Sequence, residues 1–577
     1  MTAIKGKQPL FVGPKAEFSE EFNALWSQMF DALVHRRRQL FTEDPLWSPG
    51  EGVSAEEQQA ALNELLATLE QEIPTFSPRY LGHMISDTSI PALMGHMAVL
   101  LENPNLASRE AAAAGSHIEI AAINILAELV GFPVEPACGH FTSGGTVANF
   151  EGFWRARYRL DHWLAMGAYL LEKDASEATL FDHAHMGWDA FHKAQSDFNI
   201  SEEMLRSRSW VLQGTWSTAR FYRDELGIEF PEPVVMVPGN KHYSWPKCAN
   251  VFGLSESAIW ATELDREGRV KPAALRANIE RARAEGRPIL MVVSVAGSTE
   301  LGMIDPLDEI AGILAEYRER EGLHIWHHVD AAYGGYLCST FRDGSSALGK
   351  PAQTALQSLP DIDSITLDPH KLGFVPYACG AFLVPNARNY AVSSIEAPYL
   401  VKTENPDYPT WSTTLEGSRA ATGAGAVLLS AKVLPLTAAG HGAILNRNIE
   451  LTGRFFTALA ESIDDIRMVP ASDSNIACFT VAREGESLAS VNHRAVALTQ
   501  AFRACRDFSV TQTALGTDNY RALVTEMVAG WSGAIDASQL TVVRMVIMNP
   551  YLDNDRMVEE LIDRLVAVTQ DLLESID

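Results

Sequence analysis

Residues 364–373 run SITLDPHKLG, and the fold is decided from this stretch outward. Its first four residues are mostly apolar and β-branched, as in a short buried strand. Just past that strand come His370 and Lys371. A lysine there opens into a cleft where its amine can react, whereas taken alone it is an ordinary loop residue. The neighbouring segments separate the two readings. Residues 323–335, LHIWHHVDAAYGG, place Asp330 at the end of another apolar run. RPILMVVSVAG (287–297) and ACGAFLVP (378–385) are further runs, and PLDEIAGILAEYREREG (306–322) has helical spacing between two of them. That alternation predicts a buried, largely parallel sheet covered by helices, an α/β fold.

Outside the centre the texture changes. Residues 18–41 and 54–73 carry apolar residues at helical spacing and predict a helical arm, which Pro74 and Pro78 interrupt. A third helical stretch, 108–132, ends at Gly131. Beyond residue 430, strand-like SNIACFTVA (474–482) and TVVRMVIMNP (541–550) alternate with helices, as in a small α+β domain. The last helix lines up Met557, Leu561, Leu565, Val568 and Leu572 on one face. The expected organisation is a helical arm and dimerisation segment over 1–130, a large domain over 131–430 and a small domain over 431–577.

With 577 residues and a formal net charge of −27, the chain suits several cooperating domains and repels a nucleic-acid backbone. Its six cysteines form no CxxC pair, so neither a zinc ribbon nor a disulfide framework is indicated. The first residues lack the apolar core of a signal peptide, and no apolar run is long enough to span a bilayer, so a cytoplasmic protein is expected. No metal site is expected; HAHMGWDAFH (183–192) invites one, but its role is read as structural.

Two more segments bear on chemistry. In HFTSGGTVANFEGFWRARYRL (140–160) a Gly-Gly turn opens a long helix, where backbone N–H groups and the Thr146 hydroxyl suit a phosphate dianion. In NKHYSWPKCAN (240–250), His242 is placed to lie over a flat ring. A lysine able to form an imine, a carboxylate able to keep a pyridine nitrogen protonated and a phosphate cradle are together what pyridoxal 5′-phosphate (PLP) requires.

In the chain order phosphate loop, His242, Asp330, Lys371, the four segments resemble the fold-type I PLP enzymes, and more narrowly the group II amino-acid decarboxylases. Within that group they look most like bacterial tyrosine decarboxylases. The resemblance runs from about residue 75 to the C-terminus, through YLGHMISDTSIPAL, ENPN, KHYSW, DSITLDPHKLGFVPY, LEGSR and IMNP. It implies a mostly parallel seven-stranded sheet, a homodimer and loss of carbon dioxide from an L-amino acid, an aromatic one such as tyrosine. By resemblance, Lys371 carries PLP, His370 neighbours it, His242 stacks on the ring, Asp330 pairs with the ring nitrogen and Ala332 packs against it. Gly144, Gly145 and Thr146 match the phosphate loop, and Ser298 a polar cofactor contact. His83 and Ser86 match a pocket-lining segment, with Tyr377 a further pocket residue. Tyr399 matches the tyrosine of a catalytic loop, within a proline-punctuated segment (386–411) expected to close as a lid. The insertion near 165–232 matches nothing. Decarboxylation of an acidic amino acid and carbon–carbon lysis on the same scaffold are the alternatives, and basic residues at the pocket mouth would favour them. A non-catalytic protein on a decayed scaffold is a third, opposed by the intact Lys371, Asp330 and His242.

Overall fold

The computed structural model describes residues 9–48, 52–135, 137–393, 409–470 and 472–576. A seven-stranded sheet forms the centre: β1 (Cys138–Thr142), β2 (Val234–Pro238), β3 (Ile259–Thr262), β4 (Ile289–Val295), β5 (His327–Ala331), β6 (Ser364–Leu367) and β7 (Gly380–Val384). Their order is β1-β7-β6-β5-β4-β2-β3. Only β7 runs against its neighbours, so the sheet is mostly parallel, as expected. β4 shows why apolar runs become strands here. Every residue in it is buried; Met291 and Val293 pack with Phe153, Leu160 and Leu164 on one face, while Val292 packs with Ile310 and Ile313 on the other. A strand covered on both faces needs an unbroken apolar run, and each large side chain so buried contributes about 1.5–3 kcal/mol.

The helices α1 (Ser19–Gln39), α2 (Ala55–Leu69), α3 (Ile90–Glu102) and α4 (Ala113–Leu129) precede the sheet, and α5 (Gly145–Glu172) follows β1. Neither α1 nor α2 contains a buried residue. The third helical stretch starts later than its sequence suggests, at Ala113, and is followed by Gly131 at φ +78°, which glycine adopts without steric cost. The C-terminal part holds an antiparallel sheet of β8 (Ile466–Met468), β9 (Ile476–Val481), β10 (Thr511–Gly516) and β11 (Gln539–Val546), ordered β10-β11-β9-β8. The final helix, Asp555–Ile576, buries Val558, Leu561, Ile562, Leu565, Val568 and Leu573. Its buried stripe is therefore rotated slightly from the sequence reading, with Met557 and Leu572 at the edge. Among the described residues no helix is long and apolar enough to cross a membrane.

Candidate active site

The parallel register brings the candidate side chains together at the C-terminal ends of the central strands. Asp330 is opposite Val295 on β4 and Thr366 on β6, so the loop leaving β6 carries Lys371 past it. Lys371 Nζ lies 3.0 Å from Asp368 Oδ2, and His370 Nε2 lies 3.5 Å from the same oxygen. Asp368 is buried, and its Oδ1 has no hydrogen-bond partner among the described residues. The His370 ring stacks on Tyr377, 3.9 Å between centroids. Burial is the main influence holding the His370 imidazolium below its usual range, and burial pushes the Tyr377 hydroxyl up to about 12.

Asp330 is buried and accepts a hydrogen bond from Asn149 Nδ2 at 2.8 Å, with the Ala332 N–H 3.3 Å from its other oxygen. His242, four residues past β2, sits half-buried with Tyr243 against its ring, 4.0 Å between centroids. Burial, chiefly, lowers its readiness to protonate. Gly144 and Gly145 lead from β1 into α5, which has no acidic side chain in its first turn. These groups line one cavity of about 380 Å³ that includes Gly144, Gly145, Thr146, His242, Asp330, Ala332, His370, Lys371 and Tyr377.

A family model described as the pyridoxal-dependent decarboxylase conserved domain matches residues 225–435, which span His242, Asp330 and Lys371. The chain is also 26% identical to the L-tyrosine decarboxylase of Levilactobacillus brevis, over 98% of this chain and 96% of that one. It is 28% identical to the L-tyrosine decarboxylase of Enterococcus faecium, over 77% and 76%. Residues 225–435 thus match a pyridoxal-dependent decarboxylase domain, and the chain is similar to L-tyrosine decarboxylases along most of its length. The decarboxylase shares its fold with mouse CSAD in a crystal structure of the apo form, with a TM-score of 0.64 at 19% identity, covering 95% of this chain and 98% of that one. Its cofactor is pyridoxal 5′-phosphate, its substrate an amino acid, and the reaction it catalyses is that of a carboxy-lyase.

The residues present in the decarboxylase fit that cofactor. A Cβ on Gly145 would come within 2.8 Å of Asp368 Oδ2 and 3.1 Å of Ala332 Cβ, so only glycine leaves the cradle open. The first-turn N–H groups of the 28-residue α5 offer donors to a phosphate with no competing carboxylate on that turn. Other expected residues lie further out. Ser298 is buried with its Oγ accepting from Met303 N at 3.2 Å, while its neighbours Gly297 and Thr299 line the cavity. His83 is exposed, its N–H donating to Tyr80 Oη at 3.0 Å, and Ser86 Oγ is buried without a partner among the described residues. Neither of these two is in the cavity wall. Tyr399, with the expected lid around it, lies outside the described residues. Sequence reading passed over Asp368 and Asn149, although both stand inside the DPHK and TSGGTVAN motifs. In the insertion, His185 Nδ1 bonds the Phe181 carbonyl at 2.7 Å, and its Nε2 accepts from Ile289 N at 3.0 Å. That ring ties the insertion to β4.

Proposed function

We propose that the substrate is an L-amino acid with an uncharged aromatic side chain, L-tyrosine first. One observation carries the reading: among the described residues Lys371 is the only lysine or arginine in the cavity wall, alongside the carboxylates of Asp330 and Asp368 and the rings of Tyr243, Tyr333 and Tyr377. A second carboxylate on the substrate would meet two like charges there, while an aromatic ring finds partners. The names of the relatives aligned over most of both chains support the same substrate.

Bound PLP supplies an electron sink for the pair left behind when the carboxylate departs. The chain does the rest. Lys371 anchors the cofactor covalently, and Asp368 holds the amine in the cavity. Asp330 keeps a proton on the ring nitrogen, so the ring stays electron-poor. His242 covers the ring, and Gly144, Gly145 and Thr146 hold the phosphate. We further propose a cytoplasmic homodimer. Six free cysteines suit a reducing compartment, and α1 exposes Phe30 while α2 exposes Leu62, Leu65, Leu66 and Leu69, which a partner subunit would cover.

A second reading, decarboxylation of an acidic amino acid, would need a further buried cation; Arg544 is one, although it does not line the cavity. This buried guanidinium donates to the carbonyls of Glu300 and Gly82, and its Nη2 has no partner among the described residues. Carbon dioxide release measured across the L-amino acids with added PLP separates the two. Tyrosine should give the highest kcat/KM, roughly a hundredfold above aspartate and glutamate. The highest value on an acidic substrate would overturn the aromatic reading.

A further inference from the structure

Asn149 has no role in the reading above, yet it is buried and both ends of its amide are engaged. Nδ2 donates to Asp330 Oδ2 at 2.8 Å and to Ser244 Oγ at 3.0 Å, and Oδ1 accepts from His328 Nε2 at 3.2 Å. A carboxylate can only accept, so the Asp330 contact fixes which end of the amide carries protons. Oδ1 then faces a protonated Nε2 on His328, which leaves His328 Nδ1 to accept from Ser364 Oγ at 2.8 Å. Ser364 Oγ receives Trp326 Nε1–H at 2.8 Å, and an indole N–H can only donate. The chain is therefore consistent at both ends. His328 Nε2 also lies 3.3 Å from Thr366 Oγ1. Burial holds the His328 imidazolium down at about 3, so the ring stays neutral and the direction is kept.

A second branch leaves from Ser244. Its Oγ lies 2.9 Å from His242 Nδ1, and its backbone N–H points at the same nitrogen at 3.3 Å. Nδ1 must accept, so the His242 proton sits on Nε2. We propose that Asn149 is a positioning residue which, within one oriented chain running from Trp326 to His242, holds Asp330 as a carboxylate and His242 as its Nε2–H tautomer. The proposal rests on the roles given above to Asp330 and His242.

Two separable effects follow. The amide N–H fixes the position of the Asp330 carboxylate, so losing it loosens the carboxylate's grip on the ring nitrogen. The Ser244 donors oppose a proton on His242 Nδ1, so losing the hydroxyl lets His242 charge at higher pH. The charged groups around that ring are Asp330 on β5, Asp368 and Lys371 beyond β6, and Lys247 on the helix that follows.

The test compares Asn149→Ser, Ser244→Ala and Asp330→Asn by the PLP dissociation constant of the apoprotein and by the pH profile of kcat/KM. Asn149→Ser should raise the PLP dissociation constant about tenfold or more and move the acid limb upward. Ser244→Ala should move the acid limb upward by about half a pH unit or more while keeping PLP affinity within about threefold. Asp330→Asn is the reference. Wild-type PLP affinity in it overturns the role of Asp330 itself. Loss there with none in Asn149→Ser overturns Asn149 alone. If Asn149→Ser does not fold, Ser244→Ala still decides, since an unmoved acid limb overturns the oriented chain.

Discussion

At the scale of single residues, Asp330 has the most exposed prediction. It lies near the end of β5 beside the loop that carries Lys371, and it accepts a hydrogen bond from Asn149. In the proposed role, replacing it with alanine removes the group that keeps the cofactor's ring nitrogen protonated. Asp330→Ala should lose roughly a hundredfold or more in kcat, read by carbon dioxide release at saturating PLP. A variant within about tenfold of wild type would mean that another group protonates the ring. That Lys371, Asp330 and His242 share one cavity could be anticipated from the sequence, because each stands in a motif at or just beyond an apolar run. Asp368 and Asn149 were not, because what they do depends on register. Nothing in DPHK says that Lys371 turns back onto Asp368, and nothing in TSGGTVAN says that one turn into α5 an amide meets a carboxylate from β5.

Among the elements, α5 does more than begin at the proposed phosphate loop. Buried Glu151 accepts from Leu415 N at 2.8 Å, pairs with Arg155, and lies 3.0 Å from His140 Nε2. His140 Nδ1 is 2.7 Å from Tyr390 Oη, and Arg155 reaches the Thr413 carbonyl. Residues on both sides of 394–408 are thus fastened to one helix. Burial alone would push the Glu151 carboxyl up, but His140 and Arg155 outweigh it and hold it down at about 2. A folded-state value below the unfolded one stabilises the protein above the unfolded value, near pH 4.5, and the contribution is lost as pH falls through about 2. Glu151→Gln should cost about 3–5 kcal/mol in urea unfolding of the apoprotein at neutral pH, and less as pH approaches 2. A neutral substitution would show that the carboxylate carries no such weight. Strands were legible to the extent that they are apolar. β4, β5, β6 and β7 stand out, whereas β1 buries His140 and Thr142 through hydrogen bonds, and β10 alternates buried with exposed positions. The seven-strand count came from family resemblance, not from pattern.

For the whole molecule, the helical arm poses the main question. In one chain α1 and α2 bury nothing, while Leu65 and Leu66 remain 55% and 51% exposed. Apolar stripes of this kind mark a surface that expects a partner. Sedimentation at micromolar concentration should give the mass of two chains, and a Leu65→Lys, Leu66→Lys double variant should shift the balance toward one. A fully active monomer would contradict the proposed pair. The arm was legible from its periodicity, but the exposure of its apolar residues among the described residues was not, since periodicity reveals a face and not what lies against it.

The central claim is that Lys371 carries the cofactor of a decarboxylase. Borohydride reduction of the PLP-loaded protein, followed by peptide mass spectrometry, tests it most directly. The account predicts a phosphopyridoxyl group on Lys371, absent from Lys371→Ala together with all turnover. The same group on another lysine, or an equal yield from Lys371→Ala, would contradict it.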